Sequence, residues 1–182
     1  MHGKVIVLNG VSSSGKTTLA KAIQKYGEDI WLHVAMDTFM SMLPDGREFD
    51  RDWFPVTEVE IDGEIYPQIG NGPRGDALLA RMRELVGRLA ESGFNVAVDE
   101  VADAPAIAYY RQRLGSACFV VKVDAPLSEL ERRERERGDR LIGLAREQST
   151  RIHEGISYDL EVDTHTDTPD ALARKVLGAA SA

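Results

Sequence analysis

Gly10, Gly15, Lys16 and Thr17 stand at the spacing G-x-x-x-x-G-K-[ST], directly after the apolar run Val5-Ile6-Val7-Leu8. A loop of this spacing at the end of a buried strand is a phosphate-binding P-loop. The glycines free the backbone to take turn conformations that a Cβ would block. The N–H groups of Val11, Ser12, Ser13, Ser14 and the residues after them can then face phosphate oxygens. Lys16 supplies a positive charge for the β- and γ-phosphates. Thr17 opens a helix whose positive end also faces the anion, and its hydroxyl suits Mg²⁺. The competing reading is a Gly/Ser-rich turn between strand and helix. It is disfavoured by the strand before the loop and by the amphipathic Leu19, Ala20, Ala22 and Ile23 after it. The first expectation is therefore ATP or GTP binding.

Carboxylates come next. Asp37 ends a second apolar run, Val34-Ala35-Met36-Asp37. In open parallel sheets ligands lie beyond the carboxyl ends of the strands, so Asp37 is expected in the same crevice as the P-loop. There it could take or orient the proton of an attacking hydroxyl while a γ-phosphoryl group moves. It could equally cap the short helical pattern Phe39, Met40, Met42, Leu43. Asp99-Glu100 closes a third run, Phe94-Asn95-Val96-Ala97-Val98. Asp99 is expected in the Mg²⁺ shell and Glu100 on the substrate side, against the alternative of solvated or capping carboxylates.

Cations form the third constellation, in Glu131-Arg132-Arg133-Glu134-Arg135-Glu136-Arg137-Gly138-Asp139-Arg140. Interleaved glutamates suit a solvated helix face with weak ion pairs, which accounts for Arg132 and Arg135. Gly138 breaks the helix, and Arg137 and Arg140 flank the break as cations on a closing flap would. There they could neutralise charge on a transferred phosphoryl group. Arg133 is assigned to the nucleotide side. Met36, Phe39 and Met40, with Met42, could give an acceptor an adaptable apolar wall, although methionines at helical spacing also build ordinary cores. His33 could point into the crevice, whereas His2, His153 and His165 have no ligand spacing, and a zinc site is not expected.

These side chains need a frame. Apolar runs at 4–9, 31–36, 94–98, 117–123 and 158–162 read as strands, and the patterns between most of them are helical. One helical pattern runs from Ala77 to Ala90 and stops at Gly93; another runs from Ala106 to Leu114 and stops at Gly115. Alternation of this kind implies an α/β fold with a five-stranded parallel sheet covered on both faces. Residues 45–75 interrupt the rhythm. There Thr57-Glu58-Val59-Glu60-Ile61, Asp62-Gly63 and Glu64-Ile65-Tyr66 read as a hairpin with a two-residue turn. So long an insertion is either a pocket wall or lid, or a surface elaboration.

At 182 residues and 43% hydrophobic, the chain suits one P-loop domain over 1–182, with a lid near 131–142. Its 22 basic and 30 acidic side chains give a net charge of −8, which disfavours general nucleic-acid binding. Cys118 is the single cysteine; it lies in an apolar run and reads as a small buried hydrophobe. No apolar stretch reaches membrane-spanning length, and the first strand begins almost at the N-terminus. A cytoplasmic location without a signal peptide is expected. Nothing here fixes an oligomeric state.

Several motifs together carry a resemblance. They are Leu8-Asn9-Gly10 leading into Ser12-Ser13-Ser14-Gly15-Lys16, Trp31-Leu32 before Met36-Asp37, Arg137-Gly138-Asp139-Arg140, and His153-Glu154-Gly155-Ile156-Ser157-Tyr158-Asp159-Leu160-Glu161-Val162-Asp163-Thr164. In these the chain resembles the chloramphenicol phosphotransferase family, and the last motif is the most specific. The resemblance implies a nucleoside-monophosphate-kinase-like fold and an ATP- and Mg²⁺-dependent O-phosphotransferase acting on a small-molecule hydroxyl. It also implies residues 10–17 as the ATP loop and Asp37 as the catalytic base. A sugar or nucleoside kinase, or an ATP-binding regulator without an acceptor, are the alternatives. Thr164-His165-Thr166 is a candidate seat for the base.

Overall fold

The computed structural model describes residues 2–138 and 141–181. Its central sheet holds β1 (Val5–Asn9), β2 (Trp31–Ala35), β5 (Asn95–Glu100), β6 (Cys118–Asp124) and β7 (Leu160–Asp163). All pairs are parallel, and the spatial order is β2-β5-β1-β6-β7. The remaining strands, β3 (Val56–Ile61) and β4 (Glu64–Ile69), form a separate antiparallel hairpin. Helices α1 (Lys16–Tyr26), α3 (Pro73–Glu91), α4 (Ala104–Leu114) and α7 (Pro169–Ala179) cover the sheet. The shorter helices are α2 (Met36–Met40), α5 (Leu127–Arg137) and α6 (Leu144–Ser149).

Strand side chains alternate between faces, which is why near-continuous apolar runs build two cores here. Val5, Val7, Val96 and Val98 pack with Leu79, Met82 and Val86 of α3 and with Ile107 and Tyr110 of α4. On the other face Ile6, Leu8, Ala97 and Val121 meet Leu19 and Ile23 of α1 and Leu172 and Val176 of α7. Each such aliphatic side chain contributes about 1.5–3 kcal/mol on full burial. Cys118 lies among the first group, and burial pushes its thiol up to about 11, so it is a packing residue.

Some boundaries depart from the sequence reading. Strand β2 stops at Ala35, so Met36 and Asp37 begin a helix instead of ending a strand. Ala35 takes the N-cap position of α2 and no side chain caps it, which removes the capping role considered for Asp37. Strand β7 starts at Leu160, two residues later than the apolar run suggested. The hairpin is as expected, with Asp62 (φ 54°) and Gly63 (φ 83°) both in the positive-φ region its tight turn requires.

The insertion is not a detached surface arm. Helix α6 packs on β4, Gln68 Nε2 donates to Glu147 Oε1 at 2.6 Å, and Arg146 lies 5.7 Å from the Tyr66 ring centre. The Glu/Arg run of α5 also holds a surprise. Glu134 is 1% exposed and accepts from Gly143 N (2.6 Å) and Ala145 N (2.9 Å), fastening the start of α6 beneath α5. No described helix is long and apolar enough to cross a membrane.

Candidate active site

The P-loop connects the C-terminal end of β1 to α1. A Cβ on Gly10 would stand 2.1 Å from the Val123 carbonyl oxygen, so only glycine lets β1 pass so close to β6 here. Ser13 (φ 62°) and Gly15 (φ 93°) supply the left-handed turns that fold the loop over the helix end. The hydroxyls of Ser12, Ser13 and Ser14 are buried without a hydrogen-bond partner among the described residues. Lys16 is 8% exposed and donates from Nζ to Val11 O at 2.9 Å.

Beside the loop, Thr17 Oγ1 donates to Asp99 Oδ2 at 2.5 Å, and His33 Nε2 lies 3.6 Å from the same oxygen. Burial pushes the Asp99 carboxyl up, but His33, the Lys16 charge and the Thr17 hydroxyl more than offset it. The net shift is downward, so Asp99 is an anion at neutral pH. A cavity of about 940 Å³ joins Ser12, Ser13, Gly15, Lys16, Thr17 and Asp99 to Asp37. Of the expected acceptor wall, Met36 and Met40 line this cavity. Phe39 is not among the residues lining it and, like Met36 and Met40, packs against the core.

Glu100 reaches the cavity wall but is fully buried. Arg83 donates to its Oε1 from Nε (2.9 Å) and Nη2 (2.5 Å), and Tyr110 OH donates to Oε2 at 2.8 Å. Both carboxylate oxygens are therefore occupied, and its reach towards an acceptor runs through Arg83, which also lines the cavity. Burial, then the Glu100 charge, holds the Tyr110 hydroxyl well above its usual range, so it remains a donor.

The His-Glu-Gly motif acts on the strand that feeds the P-loop. His153 Nδ1 and Tyr158 OH are 2.7 Å apart, and Asn9 Nδ2 donates to the same hydroxyl at 2.9 Å. Asn9 also exchanges hydrogen bonds with the backbone of Ala102, at 2.8 and 3.0 Å. Burial lowers the His153 pKa and pushes Tyr158 up to about 12, so both are neutral in this clamp at pH 7.

The chloramphenicol phosphotransferase-like protein model matches residues 3–181. The chain belongs to that family. A curated relative, "Putative O-phosphotransferase Rv2636" of Mycobacterium tuberculosis (strain ATCC 25618 / H37Rv), is 33% identical over 182 residues. That alignment covers 96% of this chain and 81% of the relative. Among solved structures, the M. tuberculosis APS kinase CysC in complex with AMPPNP and APS superposes with a TM-score of 0.67 at 20% identity. It covers 100% of this chain and 99% of that one. A gluconokinase from Sinorhizobium meliloti 1021 gives 0.64 at 17% identity, covering 99% and 93%. Fold and family together make this chloramphenicol phosphotransferase-like chain a P-loop phosphotransferase of the small-molecule kinase type.

On α5, Arg133 donates to Thr164 Oγ1 (2.8 Å), Thr164 O (3.0 Å) and Glu129 Oε1 (2.7 Å). Thr164 Oγ1 in turn donates to Ser14 O at 2.8 Å, tying α5 to the P-loop through Thr164. Arg137 lines the cavity beyond it, and Gly138 (φ 69°) ends α5 as expected. Arg140 lies outside the described residues. Arg132 instead pairs with Glu129 and Glu136 on the solvent side. Sequence reading missed Arg83, Gln148 and Arg151, all cavity-lining. Arg83 and Gln148 meet Glu100 and Ser12, which are distant in sequence, so no local spacing marks them; Arg151 pairs with Glu147 at i,i+4, as a surface ion pair would.

Proposed function

We propose that this chain transfers the γ-phosphate of Mg-ATP to a hydroxyl of a small molecule, and that chloramphenicol is an acceptor, which would make it an antibiotic-resistance enzyme of the cytoplasm. The observation that carries the reading is one cavity holding the P-loop, the Thr17–Asp99 pair and Asp37 together. Three buried serine hydroxyls lacking partners among the described residues fit a loop made for phosphate oxygens.

ATP would lie with its phosphates on residues 10–17 and its base towards Thr164, Asp167 and Leu172, which also line the cavity. Lys16 bridges the β- and γ-phosphates. One hydroxyl and one ionised carboxylate suit Mg²⁺, which is held by one or two protein oxygens and otherwise by phosphates and water. Thr17 and Asp99 would hold it, and there it would neutralise charge between the two terminal phosphates. Asp37 orients the acceptor hydroxyl and takes its proton. The acceptor oxygen bonds to the γ-phosphorus as the bond to the bridging oxygen breaks, and ADP leaves. Arg137 and Arg140 would meet the charge spread over the moving group, with Arg133 on the nucleotide side. Met36 and Met40 give the acceptor an apolar wall, with Arg83, steadied by Glu100, opposite.

The test is mass spectrometry of reactions containing ATP, Mg²⁺ and either chloramphenicol or a pool of hydroxyl metabolites. A gain of one phosphoryl group on chloramphenicol is expected. Gain on a sugar or nucleoside alone makes the chain a metabolite kinase with the same machinery. ATP hydrolysis indifferent to every alcohol, together with nucleotide-dependent capture of a protein, makes it a regulator.

A further inference from the structure

Gln148 sits near the end of α6, 6% exposed, in the wall of the cavity. Its side-chain oxygen accepts the Ser12 N–H at 2.6 Å, across 136 positions of sequence. A backbone N–H can only donate, so the atom facing Ser12 is Oε1 and the amide orientation is fixed by chemistry. The other end, Nε2, carries donors that bond to no described residue. With its oxygen held by Ser12 and the residue in the cavity wall, Gln148 keeps its amide donors open to the cavity, where a bound acceptor can take them.

The direction from which Gln148 arrives says what that acceptor is. Helix α6 rests on β4, and Gln68, Ile69 and Gly70 at the end of β4 line the same cavity. The base-side wall, Thr164, Asp167 and Leu172, is built from different elements. Gln148 thus touches the P-loop at its third residue from the hairpin side of the cavity, and not from the elements that would face the base. Resting on the ATP reading above, we infer that Gln148 is a phosphate-contacting residue: its Nε2 donates to an oxygen of the γ-phosphoryl group while Ser12 holds its Oε1. Gln148 would then add a link between the nucleotide and α5, since α6 is fastened to α5 by Glu134.

The test needs no acceptor. Calorimetry with the full chain and Mg²⁺ compares ADP, which lacks the γ-phosphate, with the non-hydrolysable triphosphate AMPPNP. Gln148→Glu keeps an acceptor for Ser12 N–H but replaces the donor by a negative charge. Its AMPPNP affinity should fall at least about tenfold relative to its ADP affinity, the scale of one lost hydrogen bond to a charged group. Should that variant not fold, Gln148→Met, of similar volume and without donors, reads the same ratio. A residue that merely supports the loop would weaken both nucleotides alike. An unchanged AMPPNP-to-ADP ratio in the folded variants overturns the inference. A wild-type chain that binds neither nucleotide overturns instead the ATP reading beneath it.

Discussion

Asp37 is the residue at which chemistry and stability separate most cleanly. It faces the cavity from the first turn of α2, while Ala35 occupies the cap. Asp37→Asn keeps the shape but cannot take up a full proton. The thermal midpoint and ATP affinity should stay close to wild type, because the nucleotide is held by the P-loop. Phosphoryl transfer should fall by roughly 10²- to 10⁴-fold, the usual effect of losing a general base, towards the lower end if the transition state is loose. Calorimetry and mass spectrometry on one preparation check this, and a folded variant with full transfer removes Asp37 from the mechanism. At this scale legibility followed sequence distance. The P-loop was readable because consecutive residues build it. Glu100 was not, because Arg83 and Tyr110, 17 and 10 positions away, occupy its oxygens.

Among the elements, strands and the Asp62-Gly63 hairpin were legible because apolar runs and positive-φ turn residues are local signals. Helix α5 was only half legible. Its alternating charges describe a solvent face well for Arg132, whose side chain is 51% exposed, yet the same pattern hides the buried Glu134. What buries Glu134 is α6 folding back over it, which no spacing within α5 announces. Its carboxylate satisfies the Gly143 and Ala145 amides at the start of α6, where helical partners are lacking. Glu134→Ala should therefore lower unfolding free energy by about 1–3 kcal/mol and quicken hydrogen exchange at those two amides. Arg132→Ala, which removes only exposed ion pairs, should cost less than about 1 kcal/mol. Urea melts and exchange measurements compare them. Equal costs and unchanged exchange would mean that the α5–α6 junction does not depend on the buried carboxylate.

For the whole molecule, alternation of strands and helices was enough to give a parallel α/β sheet, but not the way the hairpin and α6 close one side of the cavity together. That closure draws the P-loop, α2, α3, α4, the hairpin, α6 and α7 into one wall. A ligand in the cavity should thus stabilise the entire domain and not one element. A ligand that binds only the folded chain adds about 2.7 kcal/mol when present at a hundred times its dissociation constant. For a domain of this size that corresponds to a rise in melting temperature of about 5–10 °C. Mg-ATP should produce such a rise in the wild type. Lys16→Ala removes the charge that meets the terminal phosphates, and the loss should show at the same ATP concentration as less than about a third of the wild-type shift. Without nucleotide the two proteins should melt within a few degrees of each other, because Lys16 makes its bond to Val11 O at the cavity wall and not within either apolar core. Differential scanning calorimetry across a nucleotide titration reads both quantities at once. A variant that melts like the wild type and is stabilised equally by Mg-ATP would show that the nucleotide does not sit on the P-loop, and the proposed mechanism would fall with it.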